Sequence, residues 1–192
     1  MVQTIDSELY RLFARLLEYP QPGMEGLVRQ VIAKLQSDSP QAAEILTGFQ
    51  QFVQQVPQAK LEELYTRTFD LQDVCCPYIG HQLFGETYKR SWFMARLNQE
   101  YRLWSFPIGQ ELPDHISVVL SFLALGIQYE FSQTLLKEAL VPAMEKMVDE
   151  FGQDEDNPYH LVIRAILIIL RGDDNSTEQH PSDSEMGGEN HA

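Results

Sequence analysis

The fold is decided by residues 111–131, which begin Glu111-Leu112-Pro113-Asp114-His115 and continue as an apolar run to Phe131. Proline is tolerated in the first turn of a helix, and no helix breaker follows until Gly126, so a helix is predicted to start here. Its apolar residues fall at helical spacing on two neighbouring faces: Ile116, Val119, Leu120, Leu123 and Ile127, and then Val118, Phe122, Leu125 and Tyr129. Such a helix is a membrane span or the centre of a bundle. Its interior polar residues leave it short of the ~20 clean apolar residues of a span, so we predict the helix around which the others pack.

Asp114 and His115 form a polar pair at the start of this helix. The exposed N–H groups and the dipole of a helix N-terminus favour an ionised carboxylate and disfavour a protonated imidazole, so His115 is expected to be neutral. Two interpretations remain open. Asp114 either caps the helix beside a partly buried His115, or the pair is a small recognition site at the end of the core helix.

The composition indicates a folded acidic protein. The 192 residues are 44% hydrophobic, and 28 Asp and Glu residues against 14 Lys and Arg residues give a net charge of -14. This charge repels nucleic acid and suits a basic or apolar partner. The adjacent Cys75 and Cys76 fit a reducing compartment, and residues 1–6 lack the features of a secretory signal. A cytoplasmic location is therefore expected.

Helical periodicity, capping residues and prolines divide the rest of the chain into further helices. The predicted ranges are 7–19 with Ser7 as its cap, 24–36, 40–56 capped by Ser39, 60–69, 83 or 86 to 103, 135–151 with a kink or break at Pro142, and 159–171. In the helix that ends at residue 103, the side chains of Tyr88, Trp92, Phe93, Leu97 and Tyr101 are expected to point inward.

Residues 72–80 lack a helical period and are predicted to be a loop. Residues 172–192 hold six acidic residues and no Lys or Arg, so they are predicted to be a disordered tail, and the remaining body has a net charge of -8. No segment alternates as a strand does. The predicted fold is all-α, a single compact bundle of about eight or nine helices over residues 1–171, followed by the tail.

The sequence contains no Gly-rich phosphate loop, Gly-x-Ser-x-Gly elbow or His-Glu-x-x-His motif. Cys75, Cys76 and His81 could hold a metal, but adjacent cysteines lack the two-residue gap of zinc sites, so two small hydrophobic residues in a loop are the favoured interpretation. Aromatic residues are dense around this loop. Most are expected in the core, and some, such as Phe84 and Tyr88, are candidates for lining a groove that binds an apolar peptide.

Two stretches resemble a known family. Residues 111–115 with Val119-Leu120-Ser121-Phe122-Leu123, and Leu64-Tyr65-Thr66-Arg67-Thr68-Phe69-Asp70-Leu71 with His81-Gln82-Leu83-Phe84-Gly85-Glu86, resemble the NarJ branch of the TorD/DmsD family. The similarity covers roughly residues 5–170, and Leu-Pro-Asp-His is its most specific motif. Ser121 stands where other members often carry Glu.

The resemblance implies an all-α fold, no catalysis and a cytoplasmic chaperone for a molybdenum-containing redox enzyme. It implies a partner, the N-terminal segment of the catalytic subunit, with the alpha subunit of respiratory nitrate reductase as the nearest analogy. The chaperone would hold the apo-enzyme off the membrane and support insertion of molybdopterin guanine dinucleotide. That cofactor would be contacted only transiently, through the client, and none would be bound permanently. Chlorate, selenate and dimethyl sulfide enzymes are alternative clients.

The resemblance also implies a set of peptide-binding residues. Asp114 and His115 are carried over as recognition residues, with Glu111 opening the motif and Pro113 fixing its turn. The aromatic candidates are Tyr65 and Phe69, which match the second motif, and Phe84 and Tyr88. An amphipathic, basic client segment would lay its apolar side in a groove while Asp114 and the acidic body attract its positive end. The alternatives are a Cys- and His-dependent metal- or cofactor-handling protein and a permanent helical subunit of a larger redox complex.

Overall fold

The computed structural model describes residues 6–71, 74–126, 130–153 and 156–172, and these are helical with no strand. The α-helices are α1 (Ser7–Leu16), α2 (Met24–Asp38), α3 (Pro40–Gln55), α4 (Gln58–Thr66), α5 (Ile79–Phe84), α6 (Tyr88–Leu103), α7 (Ile116–Leu123), α8 (Glu130–Thr134), α9 (Val141–Glu150) and α10 (Tyr159–Arg171). Wider π-helical turns follow α4 (Arg67–Leu71) and join α8 to α9 (Leu135–Leu140), and a 3-10 turn, Phe151–Gln153, follows α9. Because α8, its turn and α9 are continuous, the described ranges form nine helical rods. The all-α prediction is confirmed.

Capping side chains set the starts of the first and third helices. The α1 cap is Asp6, whose Oδ1 accepts from the Glu8 amide at 3.0 Å, so the prediction that Ser7 caps this helix is wrong. Ser39 caps α3 as predicted, with its Oγ accepting from the Ala42 amide at 3.4 Å and Pro40 in the first turn. In both helices an oxygen side chain satisfies an amide that has no partner within the helix.

The helices pack around one continuous hydrophobic core. Helix α3 packs against α2 and α10, α10 also packs against α9, and α1 covers α7. Helices α3 and α10 approach closely at Gly48, where a Cβ atom would lie 2.8 Å from Leu161 Cδ1. Val162, Ile163, Ala165 and Ile166 of α10 are fully buried, so α10 is as central to the fold as α7.

Helix α7 is shorter than predicted. Its residues are buried or half-buried throughout, as expected, but it ends at Leu123 rather than continuing to Phe131. Tight hydrogen bonds from Leu125 N to Phe122 O and from Gly126 N to Leu123 O close it, and Gly126 has a φ of 141°, which only glycine adopts readily. Leu125 is consequently 52% exposed rather than buried. Residues 127–129 of the predicted helix lie outside the described residues, as do residues 173–192 of the predicted tail, which is expected to begin at Gly172.

The region between α4 and α6 also differs from the prediction. Residues 79–84, expected to lie partly in a loop, form α5, which Gly85 separates from α6 with a φ of 61°. In α6 the predicted inward positions of Leu97 and Tyr101 are confirmed, but Tyr88 and Trp92 point outward. The helix buries Arg90 in their place.

Pro142 widens a helix without breaking it. Proline lacks an N–H group and its ring displaces the carbonyl four residues earlier, so a kink or two short helices were predicted. Instead, Val141 N donates to Leu136 O, five residues back, and the chain passes through the π-helical turn into α9. The extra residue in this turn absorbs the steric conflict, so the rod stays continuous.

No helix in the four described ranges is long and apolar enough to cross a membrane.

The buried side-chain amide of Asn157 links the start of α10 by hydrogen bonds to the π-helical turn that follows α4. Asn157, which is 1% exposed, accepts from the Tyr159 amide through Oδ1 at 3.1 Å and donates through Nδ2 to Thr68 Oγ1 at 2.9 Å. Thr68 Oγ1 in turn donates to Leu64 O at 2.7 Å. These bonds align two helices that are distant in the sequence.

Replacing this amide should destabilise the fold. Asn157→Ala removes the acceptor of the Tyr159 amide at the start of α10 and the partner of Thr68, so the free energy of unfolding in urea should fall by about 1 to 3 kcal/mol. The matched control is Gln36→Ala, which removes an exposed amide of α2 and should change it by less than about 0.5 kcal/mol. Equal effects of the two substitutions would contradict a role for Asn157 in aligning the helices.

Candidate functional site

The Leu-Pro-Asp-His segment joins the starts of α5 and α7. Ile79 N donates to Asp114 O at 2.8 Å, and Ile116 N donates to Pro77 O at 2.9 Å, which forms an isolated antiparallel bridge between Tyr78 and His115. Two residues that precede helices therefore pair as strand residues do. We call residues 77–80 and 113–116 the junction.

Helix α6 holds the junction from a third side. The Asp114 carboxylate is fully buried, and its Oδ2 accepts from Arg90 Nε at 2.9 Å. Arg90 also pairs with Glu86, which is 2.9 Å from His81 Nδ1. A chain of charges thus runs from the interior to the surface. Further along α6, Tyr101 donates its hydroxyl to Pro113 O at 2.9 Å.

The close approach of α5 to the Asp114–Arg90 ion pair requires glycine at position 80. A Cβ atom at this position would lie 2.7 Å from Asp114 Oδ2, 3.0 Å from Phe93 Cδ1 and 3.1 Å from Arg90 Cγ. Each of these distances is shorter than an ordinary contact, so any other residue would push the ion pair and α6 away. The missing side chain lets α5 and α6 pack directly on Asp114.

His115, rather than Asp114, caps α7. Its Nδ1 accepts from the Ser117 amide at 3.2 Å, which places the proton of the neutral ring on Nε2. Burial lowers the pKa of His115 from 6.5 to about 4, although Asp114 and Asp70 favour the charged form. The expectation of a neutral His115 is confirmed, and the interpretation of Asp114 as the cap is wrong, because its carboxylate turns to Arg90 instead.

Several of the other predicted peptide-binding residues lie near one another, since burial and then the nearby charges of Asp70 and Glu111 raise the pKa of Tyr65. Tyr65 and Phe69 are 6% and 4% exposed and pack around Tyr159, with ring centres 5.8 and 5.1 Å from it. Glu111 and Tyr88 are exposed, and Pro113 is half-buried. Asp114 and His115 belong to the junction, so their part in peptide recognition remains a prediction that depends on indirect action. Phe84 alone of the set lines the cavity described next.

A groove runs between α5, α6, α8 and the π-helical turn that follows α8. Its volume is about 540 Å³. The apolar residues that line it are Leu83, Phe84, Trp92, Phe93, Leu97, Phe131, Leu135 and Ala139. This size lies within the range of ligand sites and accommodates several side chains of one peptide.

The charges of the groove are mainly acidic. Glu130 and Glu138 line it together with one cation, Arg96. That cation is engaged by the protein itself, since Arg96 pairs with Glu100 at 2.6 Å and lies 5.4 Å above the centre of the Phe131 ring. The groove therefore offers an apolar floor and two carboxylates to a ligand.

The junction stands directly behind one wall of the groove. Phe93 lines the groove, meets Phe84 edge to face with ring centres 5.8 Å apart, and also lies against Gly80. Because Asp114 and Arg90 fix how α6 lies against α5, they also fix the spacing of these two rings. The junction can thus position the groove without touching a ligand.

The sequence indicated that Arg90 is buried, but it gave little indication of the groove wall formed by residues 130–139. Arg90 stands seven and eleven residues before Leu97 and Tyr101, which places it on their buried face. Leu135 and Ala139 could not be assigned to a groove because their direction depends on the π-helical turn. Among the described residues, no three His, Cys, Asp or Glu side chains come together at a metal-binding spacing.

Comparison with known proteins places this architecture in a family. The family model described as "Nitrate reductase delta subunit" matches residues 35–159, which include the junction and the groove. The chain belongs to the nitrate reductase delta subunit family. The family resemblance found in the sequence is thereby confirmed.

A solved structure shares the fold of this delta-subunit family chain. "Crystal Structure Of A Putative Redox Enzyme Maturation Protein From Archaeoglobus Fulgidus" aligns with a TM-score of 0.60 and 21% sequence identity, over 89% of this chain and 97% of that one. At this identity the match supports the all-α architecture. A comparison with curated proteins gave no match.

Low pH should destabilise the fold through protonation of His115. The pKa of this residue is lower in the folded than in the unfolded state, so the unfolded chain binds more protons between about pH 4 and 6.5, and stability falls as the pH falls through that window. From about pH 7.5 to about pH 4.5 the wild type should lose roughly 2 to 3 kcal/mol more unfolding free energy than His115→Asn. Asparagine keeps a capping oxygen but does not titrate. Equal losses in urea titrations would rule out this role for His115.

Adding one methyl group at Gly80 should disturb the junction. Gly80→Ala is expected to lower the free energy of unfolding by about 1 to 3 kcal/mol, because the Cβ atom overlaps the Asp114–Arg90 pair. Gly26→Ala is the matched control. A Cβ atom there meets nothing within 4 Å, and alanine should stabilise α2 by about 0.5 to 1 kcal/mol. Opposite signs for the two variants in urea unfolding are the expected result, and stabilisation by both would contradict the packing argument.

Proposed function

We propose that this protein is a chaperone that binds the N-terminal segment of a molybdoenzyme catalytic subunit in the groove between α5, α6 and α8. Membership of the nitrate reductase delta subunit family supports a role in the maturation of a redox enzyme rather than in catalysis. The observation that carries the binding mode is the groove itself, about 540 Å³ of largely apolar space with two carboxylates at its edge.

The chemistry of the groove favours an amphipathic helical segment as its occupant. An amphipathic helix binds such a groove through apolar residues spaced three or four apart, and the aromatic side chains that line this one provide large contact areas. Glu130 and Glu138 would then pair with basic residues of the segment. The net charge of -14 would speed the encounter with a positively charged segment.

The client proposed is the alpha subunit of a respiratory nitrate reductase. The chaperone would keep this subunit in its apo form and away from the membrane until molybdopterin guanine dinucleotide is inserted. The cofactor belongs to the client, and none of the described residues is assigned to it. Chaperone and client would separate afterwards, in the cytoplasm.

Asp114 has a positioning part in this proposal. Its carboxylate is fully buried against Arg90, so a peptide bound in the groove does not reach it. It acts by holding α6 at the distance from α5 that opens the groove. A thiol-based alternative is less well supported, since Cys75 is buried and desolvation raises the pKa of its thiol well above the ordinary value, which disfavours the reactive thiolate.

The direct test is binding of a peptide of the first ~40 residues of a co-encoded molybdoenzyme catalytic subunit, at the micromolar affinity common for such grooves. Thr134→Trp places a large side chain in the groove from an exposed position. It should weaken binding at least about tenfold, because the ring occupies the volume that the peptide needs.

The control for this variant is Gln55→Trp, which adds the same side chain at an exposed position at the end of α3, outside the groove. It should bind the peptide as the wild type does. Isothermal titration calorimetry measures all three affinities, and circular dichroism checks that each variant is folded. Absence of binding by the wild type, or equal binding by both tryptophan variants, would contradict the proposed site.

A further inference from the structure

Helix α6 exposes large apolar side chains that no described element covers. Tyr88, Trp92 and Leu103 are 80%, 71% and 71% exposed. At 100° per residue they fall within about 60° of one another around the helix axis, so they lie on one side of the helix, with Gln99 between Trp92 and Leu103. Large exposed side chains arranged in this way commonly mark a contact surface.

The same face is basic in an otherwise acidic protein. Lys89 and Arg102 flank these apolar side chains on opposite sides, and both are exposed. Within the described residues, the ion pairs of α6 involve Arg90 and Arg96, so Lys89 and Arg102 present their charges to solvent. We call Tyr88, Trp92 and Leu103 with Lys89 and Arg102 the α6 face, of which Trp92 also lines the groove. Its partner should combine negative charge with some apolar surface.

We propose that the α6 face binds residues 173–192 of the same chain. This segment contains six Asp and Glu residues and no Lys or Arg, so its charge is complementary to that of the α6 face. Its one large apolar side chain, Met186, lies between Glu185 and Glu189 and can contact the aromatic rings while its neighbours pair with the cations. The folded body as a whole has a net charge of -8, so this acidic segment is favoured at the α6 face over most of the remaining surface.

Distance does not limit this contact. Helix α10 ends at Arg171, and the twenty residues beyond Gly172 can span up to ~66 Å when extended. A folded body of this length has a radius of gyration of about 15 Å, so the segment can reach any part of its surface. Because it is tethered, its effective concentration at the α6 face is on the order of millimolar, which favours it over a partner of the same affinity in solution.

Other occupants fit the α6 face less well. The α6 face adjoins the groove at Trp92, and a basic client segment that extended from the groove onto it would meet the like charges of Lys89 and Arg102. A second copy that docked the same face symmetrically would bring like charges together. This inference does not depend on the proposed function, since it concerns two parts of one chain.

The first test is zero-length cross-linking of the full-length protein with a carbodiimide, which joins carboxylates to nearby amines. Lys89 should be the main amine that links to residues 173–192, within single chains and independently of protein concentration. Lys89→Arg keeps the charge but removes the amine, and should abolish that link. Links formed only between chains, or spread equally over Lys34, Lys60, Lys137 and Lys146, would overturn the proposal.

The second test follows Trp92 by acrylamide quenching, in proteins where Trp104→Phe leaves it as the only tryptophan. Ending the chain after Gly172 should raise the quenching constant about twofold, because the tethered segment covers part of the ring. The same rise is expected for the full chain at ~1 M salt, where the Debye length is about 3 Å. Identical quenching of the full and shortened chains would overturn the proposal.

Charge variants test, by acrylamide quenching of Trp92, whether the α6 face and residues 173–192 are the two parts that bind each other. Lys89→Glu with Arg102→Glu should give the full chain the quenching of the shortened one, whereas Arg29→Glu with Lys60→Glu, the same charge change on α2 and α4, should not. Replacing the six carboxylates of residues 173–192 by their amides leaves the helical body unaltered and should also expose Trp92. Equal effects of the two charge-reversal variants, or retained protection in the amide variant, would contradict the inference.

Discussion

The buried ion pair between Asp114 and Arg90 is the constraint on which the arrangement of the site depends. A carboxylate with no exposed surface is stable only when a cation or hydrogen-bond donors compensate for its lost hydration, and here Arg90 Nε lies 2.9 Å away. The bond from Arg90 to Asp114 Oδ2 fixes the position of α6, whereas the buried Oδ1 has no hydrogen-bond partner among the described residues. The backbone of the same residue fixes α5 through its bond with Ile79 N. One residue thus places two helices relative to the start of a third.

This constraint links the specific sequence motif to the groove. Pro113 and Asp114 do not line the groove. Pro113 accepts a hydrogen bond from Tyr101, and Asp114 contacts Arg90 and Gly80, which support the wall to which Phe93 belongs. The four-residue motif is therefore best understood as a joint between helices. A ligand would meet the surface that this joint creates rather than the joint itself.

Sequence reasoning succeeded where a local interaction determines the structure. Ser39 and Pro40 predicted the start of α3, and the apolar period of residues 159–171 predicted α10. Prediction from the sequence failed where contacts between distant segments determine the structure. The choice of which α6 face to bury depends on Asp114, which pulls Arg90 inward and leaves Tyr88 and Trp92 outside. The apolar character of the aromatic residues alone predicted the opposite.

The groove could not be predicted from the sequence for a similar reason. Its two walls come from residues 83–97 and 130–139, which the sequence separates by more than thirty residues. Phe84 was identified because aromatic residues cluster near it. Leu135 and Ala139 gave no such signal, because a π-helical turn changes the direction of side chains in a way that a regular 3.6-residue period does not describe.

That turn has a consequence for how such a groove can change between related proteins. It contains one residue more than an α-helical turn, so deleting a single residue between Leu135 and Leu140 would restore a regular α-helical turn with little rotation of α8 relative to α9. The side chains of the turn itself, such as Leu135 and Glu138, would change direction. Length variation at this point would remodel the ligand-facing wall while the hydrophobic interior on the α9 side stayed in register. A one-residue indel would then alter partner choice more than several substitutions elsewhere.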